Sequence, residues 1–417
     1  MRTLEVENFS VIKKAAIEFG RITVLIGPQS SGKSILCKLA FFSHNLLLLG
    51  QNTIEEEGSY ERFLQVASEE FAKLFPSQSW GSKRFKIRYR CGGFAVDIVR
   101  KRYKRDPKDK AAFLLPTWFA ELYKTTHHRI QTGRKRQGDP LARAAFRRDF
   151  SQRARLKLGP EWNSDQLFIP AGRSFFSSVG KALAAFEEGG SIDPLTLRFG
   201  RQVNWNFDEY SFLNRTKHVS ELSKLLKDES SSLLGGSVRE ERSKTVFVSS
   251  DGRILPLSNL SSGQQELLPL LSTLARRIRW EMPQMLFIEE PEAHLFPSAQ
   301  ASLVSLFASI AQDTRPNISI VLTTHSPYIL SKFNNLIMAG QLSKKRALRA
   351  SVEKIIKTPF WVKEGNIRAY SIENGGTTNI IDSSGLINGE YLDRVSELIG
   401  REFDELLRLE YEHTKGA

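Results

Sequence analysis

The chain alternates between short apolar runs of strand length and longer stretches in which apolar residues recur at helical spacing. Near the amino terminus, the run Ile22 to Ile26 reads as a strand, and Ile35, Leu36, Leu39 and Phe42 follow as one face of a helix. Much further on, Leu267, Leu270, Leu271, Leu274 and Ile278 repeat that helical spacing, and two apolar strands come next, Met285 to Ile288 and Ile318 to Leu322. Between these ends, Ile87 to Val99 is strand-like, whereas Glu55 to Phe75, His218 to Lys227 and the stretch holding Arg143 to Arg155 read as helices. Small residues at Ser230-Ser231-Ser232 and Gly235-Gly236-Ser237 predict a flexible joint. Past the last buried strand, Phe360 to Ile372 reads as paired strands around Glu364-Gly365-Asn366. Tyr391 to Leu409 reads as an amphipathic helix with Leu392, Val395, Leu398, Phe403 and Leu406 on one side, packing on the core or at an interface.

Chemistry is concentrated where those apolar runs stop. Between the first strand and the first helix lies Gly27-Pro28-Gln29-Ser30-Ser31-Gly32-Lys33-Ser34, a G-x-x-x-x-G-K-S phosphate loop in the strand-loop-helix setting that the motif requires. Backbone N–H groups must wrap a phosphate chain there, so glycines allow close approach and unusual dihedrals. In such a loop, Lys33 meets the β- and γ-phosphates, the Ser34 hydroxyl reaches Mg²⁺, and the helix amino terminus adds a favourable field.

A second constellation begins at Leu260-Ser261-Ser262-Gly263-Gln264-Gln265-Glu266, small hydroxyl residues and a glycine at a helix start. The strand that follows ends in Glu289-Glu290-Pro291-Glu292-Ala293-His294-Leu295, which places two carboxylates at the carboxyl end of a buried strand, where α/β sheets bind ligands. The next strand ends in Thr323-Thr324-His325-Ser326-Pro327. The plainer alternatives are a solvent-facing acidic pair at a helix amino terminus, favoured there by the helix dipole, and a structural histidine.

Composition narrows the class. The 417 residues are 41% hydrophobic and 25% charged, which suits one large globular domain or two. No stretch reaches the roughly 18 to 20 uninterrupted apolar residues of a membrane span, and the opening Met1-Arg2-Thr3-Leu4-Glu5 does not read as a signal peptide, so a soluble, cytoplasmic protein without membrane contact is expected. Cys37 and Cys91 are the only cysteines, too few for a disulfide framework or a cysteine zinc site, and buried structural thiols are expected.

The net charge of +14 is local: residues 100 to 157 hold 18 Lys and Arg against 5 Asp and Glu, and the rest of the chain is nearly balanced. Such a block suits a nucleic acid, an acidic protein or simply solvent.

The order and spacing of these elements, with the opening Leu4-Glu5-Val6-Glu7-Asn8-Phe9, resemble the ATP-binding-cassette class of ATPases. The branch is the one that holds the recombination-repair ATPases, the SMC proteins, the zinc-hook repair ATPases and the OLD-like family. The string Glu289 to Leu295 looks most like the OLD-like branch, since transporters carry Asp-Glu at the pair. The resemblance implies an α/β fold: an ABC-type P-loop head with a mixed central sheet, formed by residues 1–45 and 246–417, and a helical, basic insertion with additional strands over 46–245. It implies ATP and Mg²⁺ as ligands, held at Gly27, Ser30, Ser31, Gly32, Lys33 and Ser34. Ser34 and Glu289 would hold the metal, Glu290 would polarise the attacking water and His325 would sense the γ-phosphate. The signature residues Ser261, Ser262, Gly263 and Gln264 would act across a homodimer that sandwiches two ATP molecules. Hydrolysis would rest on positioning and charge stabilisation. Phe168 to Ser174 resembles a strand-and-arginine motif of OLD-like ATPases, which would bring Arg173 toward the nucleotide, and Phe296 stands where many relatives have a histidine.

Two features separate the chain from its larger relatives. It lacks the sustained heptads and the C-x-x-C of the long-armed members, and the 92 residues after His325 hold no D-x-D of a Toprim nuclease. The expectation is an ATPase that cuts nothing by itself. It is similar to the ATPase subunits of PARIS, Septu and retron-associated antiviral systems, which implies a separate effector protein. A RecF-like DNA-binding ATPase and a non-hydrolysing nucleotide-dependent scaffold are the alternatives.

Overall fold

The computed structural model describes residues 2–56, 58–103, 106–132, 140–159, 165–179, 192–213, 220–241, 244–279, 283–314, 317–388, 401 and 403–407. One sheet of eleven strands organises them. Its parallel half holds β3 (Ile22–Ile26), β7 (Asp165–Ile169), β11 (Gln284–Glu289), β12 (Ile318–Thr324) and β13 (Ile367–Glu373), in the spatial order β13-β3-β12-β11-β7. The antiparallel half holds β1 (Arg2–Phe9), β2 (Ile12–Phe19), β4 (Lys86–Cys91), β5 (Phe94–Tyr103) and β6 (Asp106–Leu114), ordered β6-β5-β4-β1-β2. Between the halves lies β14 (Gly376–Asn379), which pairs with β13 on one side and β2 on the other.

The largely apolar sequences of β3, β11 and β12, buried at every position, follow from burial on both faces of the sheet. Ile22, Val24, Leu286, Ile288, Ile320 and Leu322 face a core built with α8 (Ser262–Arg279), α9 (Pro297–Gln312) and α10 (Pro327–Leu342). The intervening Leu25, Met285, Phe287 and Val321 face a second core, built with α1 (Lys33–Glu55), α2 (Tyr60–Leu74), α3 (Thr117–Thr132) and α4 (Pro140–Leu158). Because side chains alternate along a strand, each strand feeds both cores. All parallel strands therefore end on one edge, and the chemistry gathers there.

The α/β class with a mixed central sheet agrees with the sequence expectation. The division into lobes at residues 45 and 246 does not coincide with a break: residue 45 falls inside α1, and the 46–245 segment supplies β4, β5, β6 and β7 to the same sheet. Two local expectations need correction. Ser230 to Ser232 are helical, inside α7 (Glu221–Leu234), and Gly235 closes that helix in the left-handed conformation with φ 63°. The chain enters β8 (Gly236–Glu241) directly, and β8, β9 (Lys244–Ser249) and β10 (Ile254–Pro256) form a small antiparallel sheet, so the small residues make an ordered helix cap. Likewise, the hairpin near the carboxyl end turns at Asn374-Gly375, both at positive φ, and joins β13 to β14, whereas Glu364-Gly365-Asn366 leads into β13. An Asn-Gly pair suits the primed turn whose twist matches the strands.

Both cysteines are buried and free, as expected. The amphipathic helix expected over 391–409 lies mostly outside the described residues; Phe403 and Leu406, which are described, are exposed. No helix among the described residues is long and apolar enough to cross a membrane.

Candidate functional site

The carboxyl ends of β3, β11 and β12 are neighbours in register: Ile26 pairs with Thr324, and Glu289 with Thr323. That placement brings the phosphate loop, the acidic pair and His325 to one edge from distant positions in sequence.

The loop is shaped by close approaches. A Cβ on Gly27 would lie 2.3 Å from the Ile372 carbonyl oxygen, and one on Gly32 would lie 2.5 Å from Ile12 Cδ1, with Gly32 also at φ 104°. Only glycine fits at either position. Gly32 caps α1 without a side-chain hydrogen bond, and the first turn carries no acidic residue, so the amino-terminal N–H groups of the helix are open to an anion. Ser30 sits at φ 61°, which turns the loop back on itself, and the Ser31 hydroxyl is buried with no hydrogen-bond partner.

Lys33 is 5% exposed and folds its Nζ into the loop, donating to the carbonyls of Gly27 and Pro28 at 2.8 Å each. Burial lowers its pKa, while Glu290, Glu292 and Glu289 nearby oppose that shift. His325 Nδ1 lies 3.5 Å from Lys33 Nζ and His325 Nε2 lies 3.3 Å from Glu290 Oε1. The two ring nitrogens thus link the phosphate loop to the second glutamate. The ring is thus placed to accept from the Lys33 ammonium at Nδ1 and to donate to the Glu290 carboxylate at Nε2.

Glu289 is buried beside the Ser34 hydroxyl, and desolvation holds its carboxyl above the usual carboxylate range. Its Oε1 is buried with no hydrogen-bond partner. An orphaned carboxylate oxygen next to a serine hydroxyl fits a hard divalent cation that takes its remaining ligands from phosphates and water. Glu289→Gln is therefore expected to melt at a higher temperature than wild type when nucleotide and Mg²⁺ are absent. The sign follows from linkage: a carboxyl whose folded pKa is raised destabilises the fold once ionised, and that penalty shrinks as pH falls through the raised pKa and is gone below the ordinary carboxylate value. Calorimetry across pH 5 to 8 checks it, and a lower melting temperature for the variant would contradict the assignment.

Glu290 has φ 42°, an uncommon backbone state for a residue with a side chain. Its N–H donates to the Thr323 carbonyl at 2.9 Å. Glu292, to which no role was assigned from sequence, accepts from the Thr324 hydroxyl at 2.6 Å and from the His325 N–H at 2.7 Å, and so fixes the end of β12. The Ser326 hydroxyl adds a 2.6 Å bond to Gln300 on α9. The third acid of the E-E-P-E string was the available signal for Glu292.

At the start of α8, the Gln264 side chain accepts from the Ser261 N–H at 3.0 Å and donates to the Leu234 carbonyl at 2.7 Å. A Cβ on Gly263 would lie 2.9 Å from the His294 carbonyl oxygen, so the signature helix abuts the loop that follows the glutamate pair. Ser261 and Ser262 are exposed. Within one chain, then, the signature adjoins the acidic loop.

Arg173 does not line the loop, contrary to the expectation for it. It is 0% exposed, and its charge is spent on Glu266 and on backbone carbonyls, because a buried guanidinium needs an acceptor for each donor.

This fold and edge define a P-loop ATPase of the ABC type. The chain belongs to the family described as "AAA domain, putative AbiEii toxin, Type IV TA system", whose profile matches residues 22–331. It is also similar to the retron Vc95 probable ATPase of Vibrio cholerae serotype O1 biovar El Tor, at 32% identity over 95 residues, 21% of this chain and 18% of that protein. The chain thus matches less than a fifth of that relative's length. Among solved structures, an SMC head bound to the C-winged helix domain of ScpA is similar over 91% of this chain and 96% of that one, with 15% identity and a TM-score of 0.43. The SMC head domain from Thermotoga maritima is similar over 91% and 97%, with 13% identity and a TM-score of 0.37. At those scores the overlap is loose, and the architecture rests on the strand order and edge described above.

Proposed function

We propose that this chain is the ATP-binding and ATP-hydrolysing sensor or scaffold subunit of a bacterial anti-phage defence system, acting on a separate effector such as a nuclease or toxin. The observation that carries the reading is the convergence of Lys33, Glu289, Glu290 and His325 on one sheet edge, with the signature helix beside them. The short similarity to a retron ATPase supports the defence setting. Gly27, Ser30, Ser31 and Gly32 line the phosphate cradle, Lys33 holds the phosphates, and Ser34 and Glu289 hold Mg²⁺. The cation would screen phosphate charge and order the chain of phosphates. Glu290 orients and polarises the attacking water, and His325 responds to the γ-phosphate. Ser261, Ser262, Gly263 and Gln264 engage nucleotide on a second copy, which makes an ATP-held homodimer in the cytoplasm.

A second reading, a DNA-binding ATPase of repair type, is favoured by α4. Phe150, Ala154 and Leu158 form its buried stripe, and Arg148, Arg153, Arg155 and Lys157 are exposed around it. One experiment separates the two readings. The tagged chain is expressed from its native locus with its neighbouring genes, and copurifying material is identified with wild type and with those four cations changed to Glu. A stoichiometric effector protein retained by both forms is expected. Duplex DNA alone, released by the four changes and falling steeply with salt, would favour the repair reading and overturn the defence one.

A further inference from the structure

Resting on the ATPase reading, we propose that Arg173 is a positioning residue: it fixes the backbone that carries the Glu290 carboxylate and ties that backbone to the signature helix. Engagement of the helix start by nucleotide on a second copy then sets the placement of the hydrolytic glutamate.

The contacts are directional and cover the whole side chain. Arg173 Nη1 donates to the carbonyls of Pro170 at 2.8 Å and Glu289 at 2.7 Å, and Nη2 donates to the Glu290 carbonyl at 3.0 Å. Nη2 also lies 3.3 Å from Glu266 Oε2, and Nε donates to the Glu266 carbonyl at 3.3 Å. The Glu266 carboxylate accepts in return from the N–H groups of Arg173 and Ser174, each at 3.0 Å. Both side chains are essentially buried, at 0% and 1% exposure.

Three features make this cluster a coupling and not merely a core ion pair. Glu290 holds a left-handed backbone that persists only where its surroundings over-determine it, and Arg173 grips its carbonyl while Thr323 grips its N–H. Glu266 stands one helical turn after Ser262, so a shift of the exposed helix start moves the Arg173 anchor with it. Lastly, Pro269 lacks the N–H that would bond the Gln265 carbonyl, and that carbonyl instead accepts from Ser177 Oγ at 3.0 Å, on α5 (Ser174–Val179) just after Arg173. The segment after β7 is thereby pinned to α8 at both Gln265 and Glu266, and to the glutamate pair through the carbonyls of Glu289 and Glu290.

Arg173→Lys tests it. A single ammonium keeps the charge but cannot span the Pro170, Glu289, Glu290 and Glu266 acceptors together. Steady-state turnover, ATP binding by titration and thermal melting are measured on the full chain, with Glu266→Gln in parallel. Expected is a folded Arg173→Lys protein whose ATP affinity stays within about threefold while kcat falls about tenfold to a hundredfold, the size of effect that an ångström of misplacement produces. The cooperativity of turnover in ATP should fall in both variants. Wild-type kcat and cooperativity in Arg173→Lys, a loss of ATP affinity as large as the loss of kcat, or failure of both variants to fold would overturn the proposal. A wild-type chain that binds no ATP would instead defeat the ATPase reading, and this inference with it.

Discussion

Lys33→Ala is expected to weaken ATP binding by at least about a hundredfold. Its ammonium is held inside the loop on the Gly27 and Pro28 carbonyls, in the space that a phosphate chain takes when those contacts are exchanged for phosphate oxygens. Two charge-assisted hydrogen bonds contribute about 3 kcal/mol or more, which is about two orders of magnitude in affinity. The variant also removes a cation close enough to interact with Glu289, Glu290 and Glu292, so a triphosphate entering the loop meets less compensated negative charge. Burial already works against the charge on Lys33, and its removal therefore spares the nucleotide-free fold: the apo melting temperature should hold or rise. Titration with ATP and Mg²⁺, paired with calorimetry, reads both effects. An affinity within threefold of wild type would remove the phosphate loop from the account.

Glu290→Gln should lower turnover by about a hundredfold to ten-thousandfold and leave ATP affinity nearly unchanged, the range that a positioned general base or water-orienting group supplies. Glutamine preserves shape and the clamp on the backbone, since Arg173 and Thr323 hold Glu290 through its carbonyl and N–H. What changes is the carboxylate facing His325 Nε2 at 3.3 Å, which loses its charge and its capacity to take a proton. With binding intact and turnover blocked, the ATP-bound form should accumulate, and light scattering should record a dimer that persists in ATP and Mg²⁺. The same pair of variants distinguishes an engine from a nucleotide-dependent scaffold. Phage protection that survives Glu290→Gln but not Lys33→Ala would show that binding, without hydrolysis, carries the signal.

Much of the site was legible in the sequence because its parts are local motifs with local physics. The strand, glycine loop and helix around Lys33 declare themselves by periodicity and by residues that tolerate close approach, and the apolar runs of β11 and β12 stop at their acids and at His325. Arg173 illustrates the limit. From sequence it was an arginine near a strand end, free to reach nucleotide, whereas its partners lie 93, 116 and 117 positions away, on α8 and at the end of β11. Periodicity carries no information about contacts at that separation. The lobes drawn at 45 and 246 did not match the sheet for a similar reason: β4 to β6 pair with β1, and β7 pairs with β11, through registers that only assembly reveals.

The amino-acid sequence by itself determined the α/β class and the phosphate-loop motif around Lys33, because that motif is built from its own backbone turn and the helix that follows. Only the tertiary structure decided that Glu292 braces the end of β12, that His325 bridges Lys33 to Glu290, and that a buried Arg173–Glu266 cluster joins the signature helix to the glutamate pair. Those links are hydrogen bonds between ends of strands and helices remote in the chain, and they exist only once both cores have closed on the shared sheet.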